Sequence, residues 1–267
     1  MLIDSHCHLD FPELASDEAG VLARARTAGV AAMLTIGTRL DQFERVRAIA
    51  ERHENIWCSV GVHPHEAKEE GQRTPDRLVE AAGHAKVIGI GETGLDFYYE
   101  HSPRDEQAMS FRAHIAAARQ TGLPLIVHTR DADQETGDIL EDEYRKGAFT
   151  GLIHCFSSGP QIAQRALALG MYISISGIVT FKAAEALRTT VRDIPLERLL
   201  VETDAPYLAP VPKRGKTNEP AFVAHTAAKV AELKGVGIAE LESATTDNFF
   251  RLFTKAKRAE AERQECA

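Results

Sequence analysis

Two histidines two residues apart, His6 and His8, stand in "IDSHCHLDF" (3–11) with Asp4 and Asp10 beside them. Neutral imidazoles and carboxylates are ligands for divalent metal ions. In an extended segment side chains alternate between faces, so His6 and His8 point one way and Ser5 and Cys7 the other. One face can then offer both rings to a single ion. A polar turn after a short strand would look the same, so the pair takes its meaning from what the rest of the chain brings to it.

Comparable residues close other apolar runs. "GVHPH" carries His63 and His65, "GIGETGLD" carries Glu92, "LIVHTR" carries His128 and Arg130, "LIHCFSS" carries His154, and "LLVETDAPYL" carries Glu202 and Asp204. The runs rich in Val, Ile and Leu fall at 2–5, 31–36, 56–62, 87–91, 125–128, 151–154, 171–176 and 199–202. The second and seventh end in "TIGT" and "SISG" and offer no such residue.

These runs recur roughly every 30 residues, the length of a strand plus a crossover helix, and that rhythm predicts a parallel sheet. Helix-like segments follow them, for example "RLDQFERVRAIAERH", "SPRDEQAMSFRAHIAAARQTG" and "QIAQRALALG", with Gly29, Gly122 and Gly170 as expected stops. "EPAFVAHTAAKVAELKG" reads as an eighth outer helix and "LESATTDNFFRLF" as an extra C-terminal one. Eight βα units without a linker or a composition break predict one α/β domain over 1–267, a single (β/α)8 TIM barrel, which typically takes ~250 residues. A doubly wound open sheet is the alternative. In a barrel, side chains that do chemistry gather at the C-terminal ends of the strands, where six of the eight runs place His, Glu or Asp.

His6, His8, Glu92, His128, His154 and Asp204 are then four imidazoles and two carboxylates at one mouth. A lone histidine there is usually a hydrogen-bonded structural residue. Six polar residues together, out of water, need partners that a metal supplies. Six ligands exceed one tetrahedral site, which predicts two divalent ions of Mg, Mn, Zn or Ni sharing a carboxylate. Glu92 is the expected bridge because its strand lies between the first strand and the fifth and sixth. One ion would take His6, His8, Glu92 and Asp204, the other Glu92, His128 and His154. Glu202, two residues before Asp204 and deeper in the barrel, is expected to orient a histidine.

Anion-gripping residues are expected beside this centre. Arg130 is two residues past His128 on the same face and can fork onto a phosphate. His63 is assigned to substrate, while Pro64 takes His65 out of regular strand and leaves it unassigned. Lys213, Arg214 and Lys216 form a local basic patch in "PVPKRGKTNEP" (210–220). A dinuclear hydrolase with such a grip suits phosphodiesters: water activated between the ions attacks phosphorus, with Asp204 and Glu92 as the catalytic carboxylates and Asp204 taking the proton.

Composition narrows the class. Hydrophobic residues at 44% and charged residues at 26% exclude disordered and fibrous chains. A net charge of −8 leaves no broad basic face, so nucleic acid must be gripped locally, at a single-stranded end. No run reaches the ~18 apolar residues of a membrane span, and 1–10 lacks a signal core, which predicts a cytosolic protein. Cys7, Cys58, Cys155 and Cys266 form no CxxC pair and read as reduced thiols. Nothing in the chain calls for an obligate protein partner.

The chain resembles the TatD family of metal-dependent deoxyribonucleases, within the amidohydrolase-like superfamily of barrels. "LIDSHCHLDF", "SVGVHPHEA", "IGIGETGLDFYY", "LPLIVHTRDA", "IHCFSS" and "LLVETDAPYLAPVPKRGKTNEP" look like the family's motifs, in order and over nearly the whole length. Gln134, where an acid is common, and Thr217, where a basic residue is frequent, depart from the pattern. The resemblance implies a magnesium- or manganese-supported 3′-5′ exonuclease on single-stranded DNA, or RNA. Two other readings stand beside it: an amidohydrolase cleaving an acyl or C–N bond, and a metal-binding protein without turnover.

Overall fold

The computed structural model describes residues 1–69 and 75–258; Cys266 lies outside them. Eight strands run in chain order: β1 (Leu2–Cys7), β2 (Val30–Thr35), β3 (Ile56–Val60), β4 (Val87–Asp96), β5 (Leu125–Arg130), β6 (Gly151–Ile153), β7 (Tyr172–Ile175) and β8 (Leu199–Val201). All neighbours are parallel and the spatial order is the sequence order, as in a (β/α)8 barrel. The ring closes between its ends, where Cys7 bridges Ala205, the Asp204 amide donates to the His6 carbonyl (2.9 Å) and the His8 amide donates to the Ala205 carbonyl (2.8 Å). A doubly wound sheet has no such closure, so that alternative falls.

The helices are α1 (Pro12–Ala15), α2 (Glu18–Thr27), α3 (Phe43–Arg52), α4 (Pro75–Ala82), α5 (Arg104–Thr121), α6 (Asp133–Lys146), α7 (Pro160–Ala168), α8 (Glu185–Asp193), α9 (Val223–Lys234) and α10 (Ile238–Leu252). α5 stops where expected: Gly122 takes φ 69°, a left-handed C-terminal turn that a Cβ would oppose. Period-2 alternation divides the apolar residues into two cores. Outward residues such as Leu125, Val127, Ile153, Ile173 and Leu199 pack under the outer helices with Phe111, Ile115 and Ala118 of α5. Inward residues Ile3, Leu34, Ile88, Ile126, Leu152 and Leu200 fill the barrel floor.

The extra helix, α10, plugs that floor. Phe249, Leu252 and the following Phe253 belong to the inner core, with Phe249 and Phe253 ring centroids 4.8 Å apart and Trp57 6.0 Å from Phe249. Asn248 donates to the carbonyls of Leu196 (2.8 Å) and Leu199 (2.9 Å), which fixes the plug to the start of β8.

Strand boundaries depart from the sequence pattern where the site is built. β4 runs five residues beyond the expected 91, and its pairing with β5 slips between Ile90 and Thr93. Gly91 sits in this irregularity with φ 138°, and a Cβ on it would come within 2.6 Å of the Ile126 carbonyl oxygen. β1 slips against β2 between Asp4 and Cys7. The strict alternation expected at 5–8 is therefore corrected. Ser5 turns inward to meet Ser174 Oγ (2.9 Å), beside His6, while Cys7 packs in the outer core. A bulge adds a residue and reverses the phase, and these two shifts sit next to residues of the mouth, His6 and Glu92.

Candidate metal centre

β1 delivers His6 and, just past its end, His8; β4 delivers Glu92, β5 His128, and the segments just after β6 and β8 His154 and Asp204. The two oxygens of Glu92 divide these partners. Oε2 lies 3.3 Å from His6 Nε2 and 3.9 Å from His8 Nε2, whereas Oε1 lies 2.7 Å from His154 Nε2, 3.0 Å from His128 Nδ1 and 3.4 Å from His63 Nε2. Asp204 Oδ1 completes the first side, 3.6 Å from His6 Nε2 and 3.5 Å from His8 Nε2. The ligand atoms of His6, His8 and Glu92, of His63, Glu92 and His128, and of His6, His154 and Glu202 each fall within 4.8 Å of one another.

These donors suit a divalent cation. His6 is fully buried, yet neither ring nitrogen makes a hydrogen bond, even with Glu92 Oε2 nearby. His6 and His154 stack at 3.9 Å with planes 10° apart, an arrangement that leaves their nitrogens aimed past each other. A buried imidazole without a partner is costly, and a bound ion would supply one.

Electrostatics tell the same story. Burial alone would raise the Glu92 carboxyl, but the surrounding imidazoles, His154 first, then His63 and His6 and the hydrogen bond from His128, hold it well below the usual carboxylate range. Burial likewise opposes ionisation of Asp204, and the His8 hydrogen bond with the charges of His6 and His154 outweighs it. His63 is driven the other way: its burial pushes it down to about 4, against the pull of Glu92, so it is neutral at pH 7. The mouth thus carries ionised carboxylates among imidazoles.

Supporting contacts set the orientations. Glu202 Oε1 accepts the Cys155 amide (2.6 Å) and lies 3.4 Å from His154 Nδ1. Cys155 (φ 44°) and Asp204 (φ 57°) occupy the left-handed region, uncommon for residues with a Cβ and concentrated at functional sites. Asp4 accepts from the Thr203 amide (2.9 Å) and hydroxyl (2.5 Å), tying β1 to the turn that carries Asp204.

Asp96 escaped the sequence reading. Its Oδ2 accepts from His65 Nε2 (2.9 Å) and His128 Nε2 (3.2 Å), and its Oδ1 accepts the amides of Tyr98 (3.0 Å) and Tyr99 (2.9 Å). Burial would raise this carboxyl, but the His128 and His65 hydrogen bonds hold it below its usual range. His65, unassigned from sequence, therefore belongs to the same network as His128. The signal was the i, i+2, i+4 spacing of Glu92, Gly94 and Asp96, visible only if the fourth strand continues past residue 91.

The expected anion-gripping residues are spread more widely. The Arg130 guanidinium lies over the rings of Tyr98 (4.0 Å) and Tyr99 (4.7 Å) at the mouth. Lys213 and Arg214 stand over Phe222 (5.1 Å) and Phe181 (3.9 Å), and Arg214 donates to the Ala209 carbonyl (2.9 Å), contacts among the loops after β7 and β8. Among the described residues no helix is long and apolar enough to cross a membrane.

Residues 3–254 match the family model described as TatD related DNase. The chain is 45% identical over 255 residues to the "Uncharacterized metal-dependent hydrolase YcfH" of Escherichia coli strain K12, covering 94% of this chain and 95% of that one. It is 38% identical over 259 residues to the "3'-5' ssDNA/RNA exonuclease TatD" of Enterobacter lignolyticus, covering 94% and 98%. Its fold matches the crystal structure of YJJV, a TatD homologue from Escherichia coli K12, with a TM-score of 0.89 at 30% identity over 95% of this chain and 98% of that one. The protein belongs to the TatD family and is a metal-dependent hydrolase.

Proposed function

We propose that the chain is a 3′-5′ exonuclease that hydrolyses phosphodiester bonds at the end of single-stranded DNA or RNA, using two divalent ions. The observation that carries this reading is the division of Glu92, whose Oε2 faces His6 and His8 while its Oε1 faces His128 and His154. One carboxylate facing two separate sets of imidazoles is suited to bridging. His6, His8, Glu92 and Asp204 would hold one ion, and Glu92, His128 and His154 the other. Ions held there would neutralise phosphoryl oxygens and acidify water.

The remaining work falls to the chain. Asp204, kept ionised by its imidazole neighbours, accepts the proton of the attacking water. Neutral His63, 3.4 Å from Glu92 Oε1, faces the same centre and can donate a hydrogen bond to a phosphate oxygen. Arg130 meets the flanking phosphate as a planar fork. Glu202 keeps His154 aimed at the centre. The name of the Enterobacter relative supports the nuclease reading, and the net charge of −8 favours a strand end over a duplex coat. We place the activity in the cytosol, where the free thiols of Cys7, Cys58 and Cys155 persist.

The test offers the purified enzyme, with Mg, Mn, Zn or Ni, a linear single-stranded oligonucleotide, a closed single-stranded circle, an aminoacyl ester and a cyclic amide. Mononucleotide release from the linear strand alone is expected. A circle cut as fast as the linear strand rules out an exonuclease; turnover confined to the ester or amide moves the protein to amidohydrolase chemistry.

A further inference from the structure

Two aromatic ledges stand on opposite sides of the histidine cluster. Tyr98 and Tyr99 follow β4, with Arg130 at the end of neighbouring β5 lying over both rings. Phe11 follows β1 and Tyr207 follows β8, their centroids 6.1 Å apart, with Phe11 stacked on His8 at 4.7 Å and 23°. β1 and β8 adjoin at the closure and β4 and β5 adjoin halfway round the ring, so the ledges face each other across the mouth.

Core packing does not account for them. Tyr98, Tyr99 and Tyr207 are 57%, 50% and 53% exposed, and among the described residues they are the only exposed large aromatic side chains. They are also held in place. Asp96 Oδ1 accepts the amides of Tyr98 and Tyr99 while its Oδ2 accepts from His128, so one carboxylate sets the tyrosine pair relative to the cluster. Gln107, fully buried, donates to the Asp96 carbonyl (3.1 Å) and accepts its amide (2.8 Å), which leaves that turn little freedom. On the other side, Phe11 stacks on His8 itself.

We propose, building on the nuclease reading, that the ledges seat the two nucleosides flanking the scissile phosphate: one base stacked on one ring of the Tyr98–Tyr99 pair, whose planes stand 89° apart, with the other ring at its edge and Arg130 on the adjoining phosphate, and the next base stacked on Tyr207 with Phe11, 81° away in plane, at its edge. Aromatic rings accept any base because every base has a π face, whereas Arg130 supplies the charge that tracks the backbone. The arrangement selects unpaired strands, since only splayed bases can lie on both ledges. It reads little sequence, because the stacked contact is to the π face that every base shares.

The test uses the metal-loaded enzyme and the double variant Tyr98→Leu with Tyr99→Leu, which keeps apolar bulk and removes the rings. Against a short single strand, KM should rise roughly tenfold or more per lost stack. The loss on methyl p-nitrophenyl phosphate, which has no base, should be at least tenfold smaller. A strand with 2-aminopurine in its two 3′ positions and a methylene-phosphonate in place of the scissile linkage should be quenched on binding wild type and less so on binding the variant. Tyr98→Phe with Tyr99→Phe should restore both KM and quenching. If the leucine variant keeps wild-type KM and quenching while the strand is still degraded, the ledges are not base seats. If wild type degrades no strand at all, the nuclease reading falls and the ledges fall with it.

Discussion

The two ends of this barrel are built on the same strands with opposite chemistry. Ile126, Leu152 and Leu200 belong to the apolar floor, closed by Phe249 and Phe253. Two residues further along the same three segments stand His128, still on β5, and His154 and Glu202, each just past its strand, in the polar mouth. The step is about 6.6 Å of extended chain. At the floor every inward side chain finds apolar neighbours; at the mouth both ring nitrogens of His6, Nδ1 of His154 and Oε2 of Glu202 are buried without a hydrogen-bond partner. Unsatisfied buried polar groups destabilise a fold, so the floor's packing offsets a mouth shaped for ligands. Stability and chemistry can therefore be perturbed separately.

The largest effect expected at the mouth comes from His6→Ala with His8→Ala, which removes one set of imidazoles facing Glu92. Elemental analysis should show metal content falling and turnover lost, while the urea midpoint of the chelator-treated variant stays near that of chelator-treated wild type. Unchanged metal content would break the assignment of these rings. Asp204→Asn comes next. Asparagine cannot take a proton at neutral pH, so kcat should drop by a factor of roughly 10² to 10⁴ with metal content and oligonucleotide affinity retained. Near wild-type turnover with metals in place would pass the proton-acceptor role to His63, neutral at pH 7.

The floor should answer in the opposite currency. Phe253→Ala leaves a cavity under the barrel and should cost about 3 to 5 kcal/mol in urea denaturation, with specific activity of the folded enzyme preserved. A fall in activity at full metal content would mean that the ends communicate. The smallest effect is expected for Glu202→Gln, which keeps a carbonyl for the Cys155 amide but removes the charge facing His154. Metal affinity, read by chelator competition, should weaken roughly 10- to 100-fold, with a smaller drop in turnover than Asp204→Asn. An equal drop would erase the distinction between the two carboxylates.

The sequence by itself determined the rhythm of eight strands, the extra C-terminal helix and the presence of His, Glu or Asp at six strand ends, because period-2 burial and helix stops are local and are written in neighbouring residues. It could not determine phase. The slips between Asp4 and Cys7 and between Ile90 and Thr93 depend on the strand paired alongside, and each changes which residues face the axis. Asp96 stayed hidden for that reason: it joins His65 and His128 only once β4 runs on beside β5. Ring closure is equally non-local, since the hydrogen bond from the Asp204 amide to the His6 carbonyl joins the first strand and the segment just after the last, which lie far apart in the chain. The positions of Arg130 over Tyr98 and Tyr99, and of Arg214 over Phe181, were likewise decided by tertiary contacts. Long side chains take their direction from whichever ring or carbonyl the fold places within reach, and spacing along the chain carries no record of that choice.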